Sequence, residues 1–453
     1  MITALLYTLG VVVFVVAILV SIGLHEFGHM IPAKKFGGKV TQYFIGFGPT
    51  VWSRQRGETE YGIKAIPLGG YVKIVGMLPP GAEQLAEEVT LDAQGNQVTR
   101  VRKSNTGMFT QLISDARAAE WELVGPEDDG RLFYKLPPWK KIVVMAGGPS
   151  VNILIAFLIF LGVYATYGNR TLEVAEGPPV IDTVSECVLP FGEEGRACTA
   201  EDPPAPAFEA GLRPGDQVVS FNGTPVTGWD QLRELIRSNA DGDATIVYER
   251  DGQQLSGTTS TTVEARPTSE TDETLTEVGF LGVTPTQVVL TERGGPIYTV
   301  QQMGTMFVDT VEALATLPVK VYDVGRAIVG LQERDPDSPV SVVGGGRLAG
   351  ETVSQTEFPV ADRLVFLLML IAGFNFFIGV FNFIPLLPLD GGHIASATWE
   401  ALRRAWSRVR GRPDPGYVDA AKLLPVAYVV ASFLLVMGVV LIIGDLVVPV
   451  SLT

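Results

Sequence analysis

The sequence predicts a polytopic α-helical membrane protein with four transmembrane helices and a separate α+β domain on one side of the bilayer. Three observations point that way. The 453 residues are 47% hydrophobic with a mean hydropathy of +0.27, too apolar for an ordinary soluble chain. Four stretches, 3–24, 142–167, 364–384 and 423–448, hold few or no charges, and each has the roughly 20 apolar residues that a helix needs to cross about 30 Å of hydrocarbon. Between the second and third lies an acidic region, 168–362, with 31 Asp and Glu against 12 Lys and Arg.

The first stretch lacks the basic n-region and the small-residue cleavage site of a signal peptide, so it is expected to stay as a span. Orientation follows from the basic residues. Lys34, Lys35 and Lys39 follow span one, Lys140 and Lys141 precede span two, and Arg403, Arg404, Arg408, Arg410 and Arg412 lie between spans three and four. Those loops are expected in the cytoplasm, which puts the acidic region and both termini outside. A net charge of −15 also argues against a nucleic-acid partner, which requires a basic face. Cys187 and Cys198, the two cysteines, both fall in the external region. There they could close a disulfide or stay as two thiols, since spacing alone does not establish bonding geometry.

Span one ends in "GLHEFGHMIPAKK", residues 23–35. His25 and His29 are four apart, so on a helix they share a face and can share a metal ion, while Glu26 points to the neighbouring side. Ionisable groups at membrane depth are costly and mark function. At 1.5 Å per residue, 24 helical residues cover about 36 Å, which puts His25 near the cytoplasmic margin of the hydrocarbon. Pro32 is expected to end the helix soon after. Zinc catalysis commonly uses three protein ligands. The third must come from elsewhere, and "FNFIPLLPLDGGH", residues 381–393, offers Asp390 and His393 at the matching end of span three. Taken alone, Asp390 could equally be a helix cap in a turn.

"HEFGH" ending one span, "GGPSVN" opening the second and "NFIPLLPLDGG" ending the third, with an external domain between the second and third, resemble the site-2 protease family of intramembrane zinc metalloproteases. The likeness is to the bacterial branch with one PDZ domain and four spans, and it covers nearly the whole chain. It implies a Zn2+ cofactor held by His25, His29 and Asp390, Glu26 as general base, Asn382 near the substrate, and His393 as a bystander. One departure is that Leu387 stands where the better-known pattern has a proline, with Pro388 next. The resemblance further implies a plasma-membrane protease with its active site near the cytoplasmic face, cutting single-pass membrane proteins such as anti-sigma factors.

Residues 44–77, rich in Gly, aromatic and β-branched residues, read as short strands broken by turns. The resemblance makes them a re-entrant β-element in which 62–76, and Gly69, Gly70, Tyr71, Val72 and Lys73 in particular, pair with an extended substrate. An ordinary cytoplasmic hairpin is the alternative. In span two, Gly147, Gly148, Pro149 and Asn152 suit close helix packing or a substrate contact. Outside, "PAFEAGLRPGDQVVSFNGTPVTGWDQLRELI", residues 206–236, gives a short helix, a Gly-Asp turn, a strand with an Asn-Gly turn and an amphipathic helix, and "ATIVYERDGQ" another strand and turn. This resembles a PDZ domain over about 178–267, which could bind peptide ends or screen substrates by size.

The expected plan is helix one in 1–32, the β-region in 33–77, a cytoplasmic insertion of unread function in 78–140, and helix two in 141–168. The PDZ domain takes 169–267, an external linker with amphipathic elements 268–362, helix three 363–393, a basic cytoplasmic loop 394–422 and helix four 423–453. Two other classes compete. A non-catalytic membrane scaffold presenting the PDZ domain would not need the metal triad, and a metal transporter would be expected to show repeated halves, which the sequence does not suggest.

Overall fold

The computed structural model describes residues 2–79, 89–91, 97–99, 108–121, 124–192, 196–269 and 272–450. Parts of the expected insertion, 80–88, 92–96, 100–107 and 122–123, lie outside the described residues. The chain divides into two units, Met1–Tyr167 with Gly294–Thr453, and Gly168–Arg293.

The first unit is built from helices α1 (Ile2–Lys35), α2 (Met108–Trp121), α3 (Pro138–Thr166), α4 (Pro296–Ile328), α5 (Val342–Ser354), α6 (Val360–Asn382), α7 (Asp390–Val409) and α8 (Leu424–Val447). Four are long and apolar enough to cross a membrane: α1, α3, α6, and α8 with the turn before it, Ala420–Val447. They match the four expected stretches. Pro32 does not stop α1, which runs on to Lys35, and the helical ladder resumes with Phe36 N–H on the Pro32 carbonyl at 2.9 Å. The bond a proline forfeits is the one to residue i−4, here Gly28, where α3 presses against α1. That packing outweighs the local preference.

Small residues set the helix crossings. A Cβ on Gly147 would lie 2.0 Å from the Gly28 carbonyl oxygen, and one on Gly10 would lie 2.4 Å from the Ala349 oxygen, so α3 and α5 approach α1 backbone to backbone. Phe14 and Ile18 of α1, Ala349 of α5, and Leu367 and Ile371 of α6 form one buried cluster. Phe160 and Tyr164 of α3, Met303 of α4, and Phe376 of α6 form another. Asp445 near the end of α8 is buried and paired with Arg334 at 2.7 Å. Its second oxygen accepts from the Ser341 and Gly344 amides at 2.7 and 3.2 Å, so the last span pins the start of α5.

Strands β1 (Val40–Arg56) and β2 (Thr59–Ile74) pair, overall antiparallel, through several register shifts. Gln42–Ile45 is flanked on one side by 60–63 and on the other by 70–73, while 52–56 pairs with 59–63. The two long strands therefore bend into four paired segments, with 70–74 at an edge. Tyr43 Oη donates to the Gly23 carbonyl at 2.7 Å, and Lys34 Nζ donates to Tyr61 Oη at 3.0 Å, which fastens the sheet along the last turns of α1. From the insertion, Glu120 accepts from the Gly76 and Met77 amides at 2.8 and 3.0 Å. Arg131 grips Glu58 bidentately, and Lys39 pairs with the buried Asp128 at 2.7 Å.

The segment expected as a basic loop, 394–422, is helical as far as Val409. Counting its arginines hid the period of Trp399, Leu402, Trp406 and Val409, which is that of a helix face. The expected linker 268–362 is also largely structured. Its first part belongs to the second unit, and 296–328 form the single helix α4.

The second unit, Gly168–Arg293, has a four-stranded antiparallel sheet, Gln253–Ser260, Asp243–Arg250, Gln217–Phe221 and Thr224–Pro225 in spatial order, with a helix at Trp229–Ser238. The turns at Asn222-Gly223 and Asp251-Gly252 have positive φ at both residues, the geometry of two-residue hairpins. Phe221, Leu232 and Ile246 are fully buried in its core, each contributing about 1.5–3 kcal/mol over the exposed state. Asn169–Val174 pairs with Gln287–Glu292, and Ile181–Val184 with Val283–Pro285. The unit thus needs residues beyond 267 to complete its strands. Cys187 and Cys198 are disulfide-bonded.

Candidate metal centre

The two histidines of α1 and the aspartate that opens α7 converge. His25 Nε2 and His29 Nε2 are 3.2 Å apart, and each lies 3.3 Å from Asp390 Oδ2. A tetrahedral zinc ion with bonds of about 2.0 Å separates its ligand atoms by about 3.3 Å, so this triangle fits that ion without rearrangement. Among the described residues it is the group of three metal-ligating side chains whose ligand atoms meet, and His393 is not in it.

Each histidine is held by its far nitrogen. His29 Nδ1 lies 2.8 Å from the Val144 carbonyl and His25 Nδ1 lies 3.2 Å from Asn152 Oδ1. Both partners are acceptors, so both Nδ1 atoms carry the proton and both Nε2 atoms turn an unprotonated lone pair to the shared point. The two acceptors belong to α3. Asn152 is therefore neither simple packing nor a substrate contact but the orienting partner of His25. Gly148 has a related role, since a Cβ there would lie 2.2 Å from His29 Nε2 and 2.7 Å from His25 Nε2. Only glycine leaves room for both rings.

Asp390 is delivered by a tight passage between α6 and α7, with a cis peptide at Leu387-Pro388. A Cβ on Gly391 would lie 2.2 Å from the Ile384 oxygen, and one on Gly392 2.5 Å from the Leu387 nitrogen, which explains the two glycines after the aspartate. Helix α7 is then locked to α3 by a buried ion pair, Lys141 Nζ to Glu400 Oε2 at 2.8 Å, with Arg404 on the other carboxylate oxygen at 3.0 Å. Lys141 stands one turn before Val144, so the same stretch of α3 orients His29 and anchors the helix of Asp390. Charge counting along the sequence gave no sign of this pair.

Glu26 faces the sheet. A Cβ on Gly70 would lie 3.0 Å from Glu26 Cγ. Gly70, Tyr71, Val72 and Lys73 pair with Ile45, Phe44, Tyr43 and Gln42 in turn. Gly69 has a φ of +93° and packs against Phe47. The edge segment predicted from sequence thus lies beside the predicted base. Asn382 closes α6 and donates to the Ile378 carbonyl at 3.0 Å; among the described residues its amide has no contact with the three ligands.

A metal triad built from an HExxH pair on a helix long and apolar enough to cross a membrane and a distant aspartate at the start of α7 defines a membrane zinc metalloprotease. The profile of Peptidase family M50 matches residues 13–414, and the chain belongs to that family, the site-2 proteases. It is 34% identical to zinc metalloprotease Rip1 of Mycobacterium tuberculosis over 468 aligned residues, covering 99% of this chain and 100% of the relative. It is also 34% identical to Rip1 of Mycolicibacterium smegmatis over 460, with the same coverage. Metalloprotease MmpA of Caulobacter vibrioides is 24% identical over 413, covering 89% of this chain and 87% of the relative.

Proposed function

We propose that this zinc metalloprotease hydrolyses a peptide bond in or near the transmembrane segment of single-pass membrane proteins, anti-sigma factors among them, in regulated intramembrane proteolysis. The observation that carries this reading is the meeting of His25 and His29, on the apolar helix α1, with Asp390 at the start of α7, and Glu26 beside a strand edge.

His25, His29 and Asp390 hold the ion, and Asn152 and Val144 fix the ring orientations. Zinc bound there would polarise the scissile carbonyl and acidify a water molecule. Glu26 takes the proton of the attacking water and returns it to the leaving amine. A helical substrate hides its peptide bonds in internal hydrogen bonds, so it must be unwound first. The outer edge of 70–74, which has no strand neighbour among the described residues, offers backbone groups for strand addition, and the family resemblance alone assigns Asn382 a place near the substrate. Exposed Phe47, Val51, Trp52, Ile63 and Ile66 on the sheet support its dipping into lipid. By the distribution of basic residues the active site lies near the cytoplasmic face and the Gly168–Arg293 unit, read as a PDZ-type domain, lies outside.

The test is cleavage of a tagged single-pass stub with its external domain already trimmed, co-expressed with wild type or Glu26→Gln. Release of a cytoplasmic fragment by wild type alone, with equal zinc content in both proteins, is the expected result. Fragment release by Glu26→Gln at the wild-type rate would overturn the base assignment. Intact stub with both proteins, across a panel of stubs and with expression established, would overturn the intramembrane reading.

A further inference from the structure

Helix α7 presents three faces, and only two are used by the metal centre. Its first residue is Asp390, and its inner face carries Ala397 and Glu400, both buried. Its outer face carries Trp399, Leu402, Trp406 and Val409, spaced by three and four residues and all more than half exposed, Val409 at 84%. Four large apolar side chains in one stripe are an uncommon surface for water.

The five arginines divide by task. Arg404 pairs with Glu400, and Arg403 donates to the carbonyls of Pro415, Gly416 and Tyr417 at 2.8–3.2 Å. Arg408, Arg410 and Arg412 are exposed, and among the described residues none is paired with a carboxylate. The Arg410 guanidinium lies 4.2 Å from the centre of the Trp406 ring, so cation and aromatic are presented together at the far end of the stripe. Cations at a helix C-terminus complement its dipole, but that role needs neither three arginines nor two exposed tryptophans.

We propose that the outer face of α7 is a docking surface for anionic phospholipid headgroups, with Trp399, Leu402, Trp406 and Val409 set among the upper acyl chains and Arg408, Arg410 and Arg412 on the phosphates. The chemistry is that of interfacial helices, which combine an apolar stripe with tryptophan and flanking cations. The occupant follows from charge complementarity and from continuity with the spanning helices. The helix that positions Asp390 then lies along the membrane surface, held by the lipid on one face and by Lys141 on the other. This inference rests on the chain being a membrane protein and not on its proteolytic activity.

Because both native cysteines are disulfide-bonded, Val409→Cys gives the full-length protein a single free thiol. A polarity-sensitive fluorophore or a spin label on that thiol reports depth in nanodiscs of phosphatidylcholine alone or with about three parts in ten phosphatidylglycerol. An arginine near an anionic surface contributes about fivefold to the equilibrium, so three shift the ratio of membrane-buried to aqueous label by on the order of a hundredfold at low salt. The expected result is burial in the anionic discs, relieved by high salt and lost when Arg408, Arg410 and Arg412 are all changed to Gln. A label equally aqueous in both lipids overturns the proposal. So does a label equally buried in both, since the stripe would then act without headgroup charge, and so does a triple variant that keeps the lipid dependence. The readout does not involve cleavage, so an inactive protein would still decide it.

Discussion

Replacing Asn152 with leucine removes the acceptor that holds the His25 ring while leaving a side chain of similar bulk in its place. His25 Nδ1 then loses its hydrogen-bond partner among the described residues, a contact of 3.2 Å, and the ring is free to rotate its Nε2 away from the other two ligands. Removing such an orienting partner typically costs 10–100-fold in metal affinity, or about 1.4–2.7 kcal/mol. The bond is neutral and towards the long end of the range, which places the expected loss in the lower half, roughly 10–30-fold. Asn152→Asp retains an acceptor oxygen and is expected to hold zinc at least as well as Asn152→Leu. The assay is competition between the full-length protein in detergent and a chromophoric chelator, read as the zinc dissociation constant, with thermal unfolding in parallel. If Asn152→Leu held zinc within twofold of wild type while losing thermal stability, Asn152 would be a packing residue and the orienting role would fall.

Gly148→Ala places a methyl group within contact of both histidine rings and is expected to abolish zinc binding, whereas Gly162→Ala on the same helix, where a Cβ meets nothing within 4 Å, leaves it unchanged in the same competition. Glu400→Leu alone strands the buried Lys141 ammonium and should cost about 3–5 kcal/mol, whereas Lys141→Met leaves Glu400 with Arg404 and should cost less; the double variant should lose less than Glu400→Leu alone, and equal or greater loss in the double by thermal unfolding would refute the pairing. Lys39 beside the buried Asp128 holds its carboxyl below the usual range, with the Gly125 amide adding to this. A lowered folded-state value means stability present above the unfolded value and lost as pH falls through the folded one. The stability difference between wild type and Lys39→Gln should therefore be level from about pH 5 to 8 and close only below about pH 4, and a difference that vanished already by pH 6 would contradict it.

Much of the architecture was legible because it is locally encoded. A run of apolar residues is a span whatever surrounds it, and the four runs became α1, α3, α6 and α8. The Asn222-Gly223 and Asp251-Gly252 pairs announced their hairpins, since those residues accept positive φ. His25 and His29 sit one turn apart by helix geometry alone. Reading failed where packing overrode local preference, as at Pro32 inside α1, or where charge masked period, as in α7. It also set the end of the Gly168–Arg293 unit too early, since its Asn169–Val174 strand finds its partner in Gln287–Glu292, beyond the last recognisable turn.

The sequence by itself determined that this is a membrane protein with a two-histidine, one-glutamate motif at the end of a span, because composition and i, i+4 spacing are properties of a single helix. Only the tertiary structure decided how the site is completed. Asp390 and His393 are three residues apart on one helix and chemically both suitable, and which of them reaches His25 depends on the angle at which α7 leaves α6. That angle is set by the close approach around Gly391 and Gly392 and by the buried pairing of Lys141 with Glu400. Likewise Asn152, Val144 and Gly148 acquire their roles only when α3 closes on α1 at Gly28. The contacts of α3 with α1 and of α3 with α7 join residues more than a hundred positions apart, and their energies depend on burial and distance, which exist only once the helices have packed.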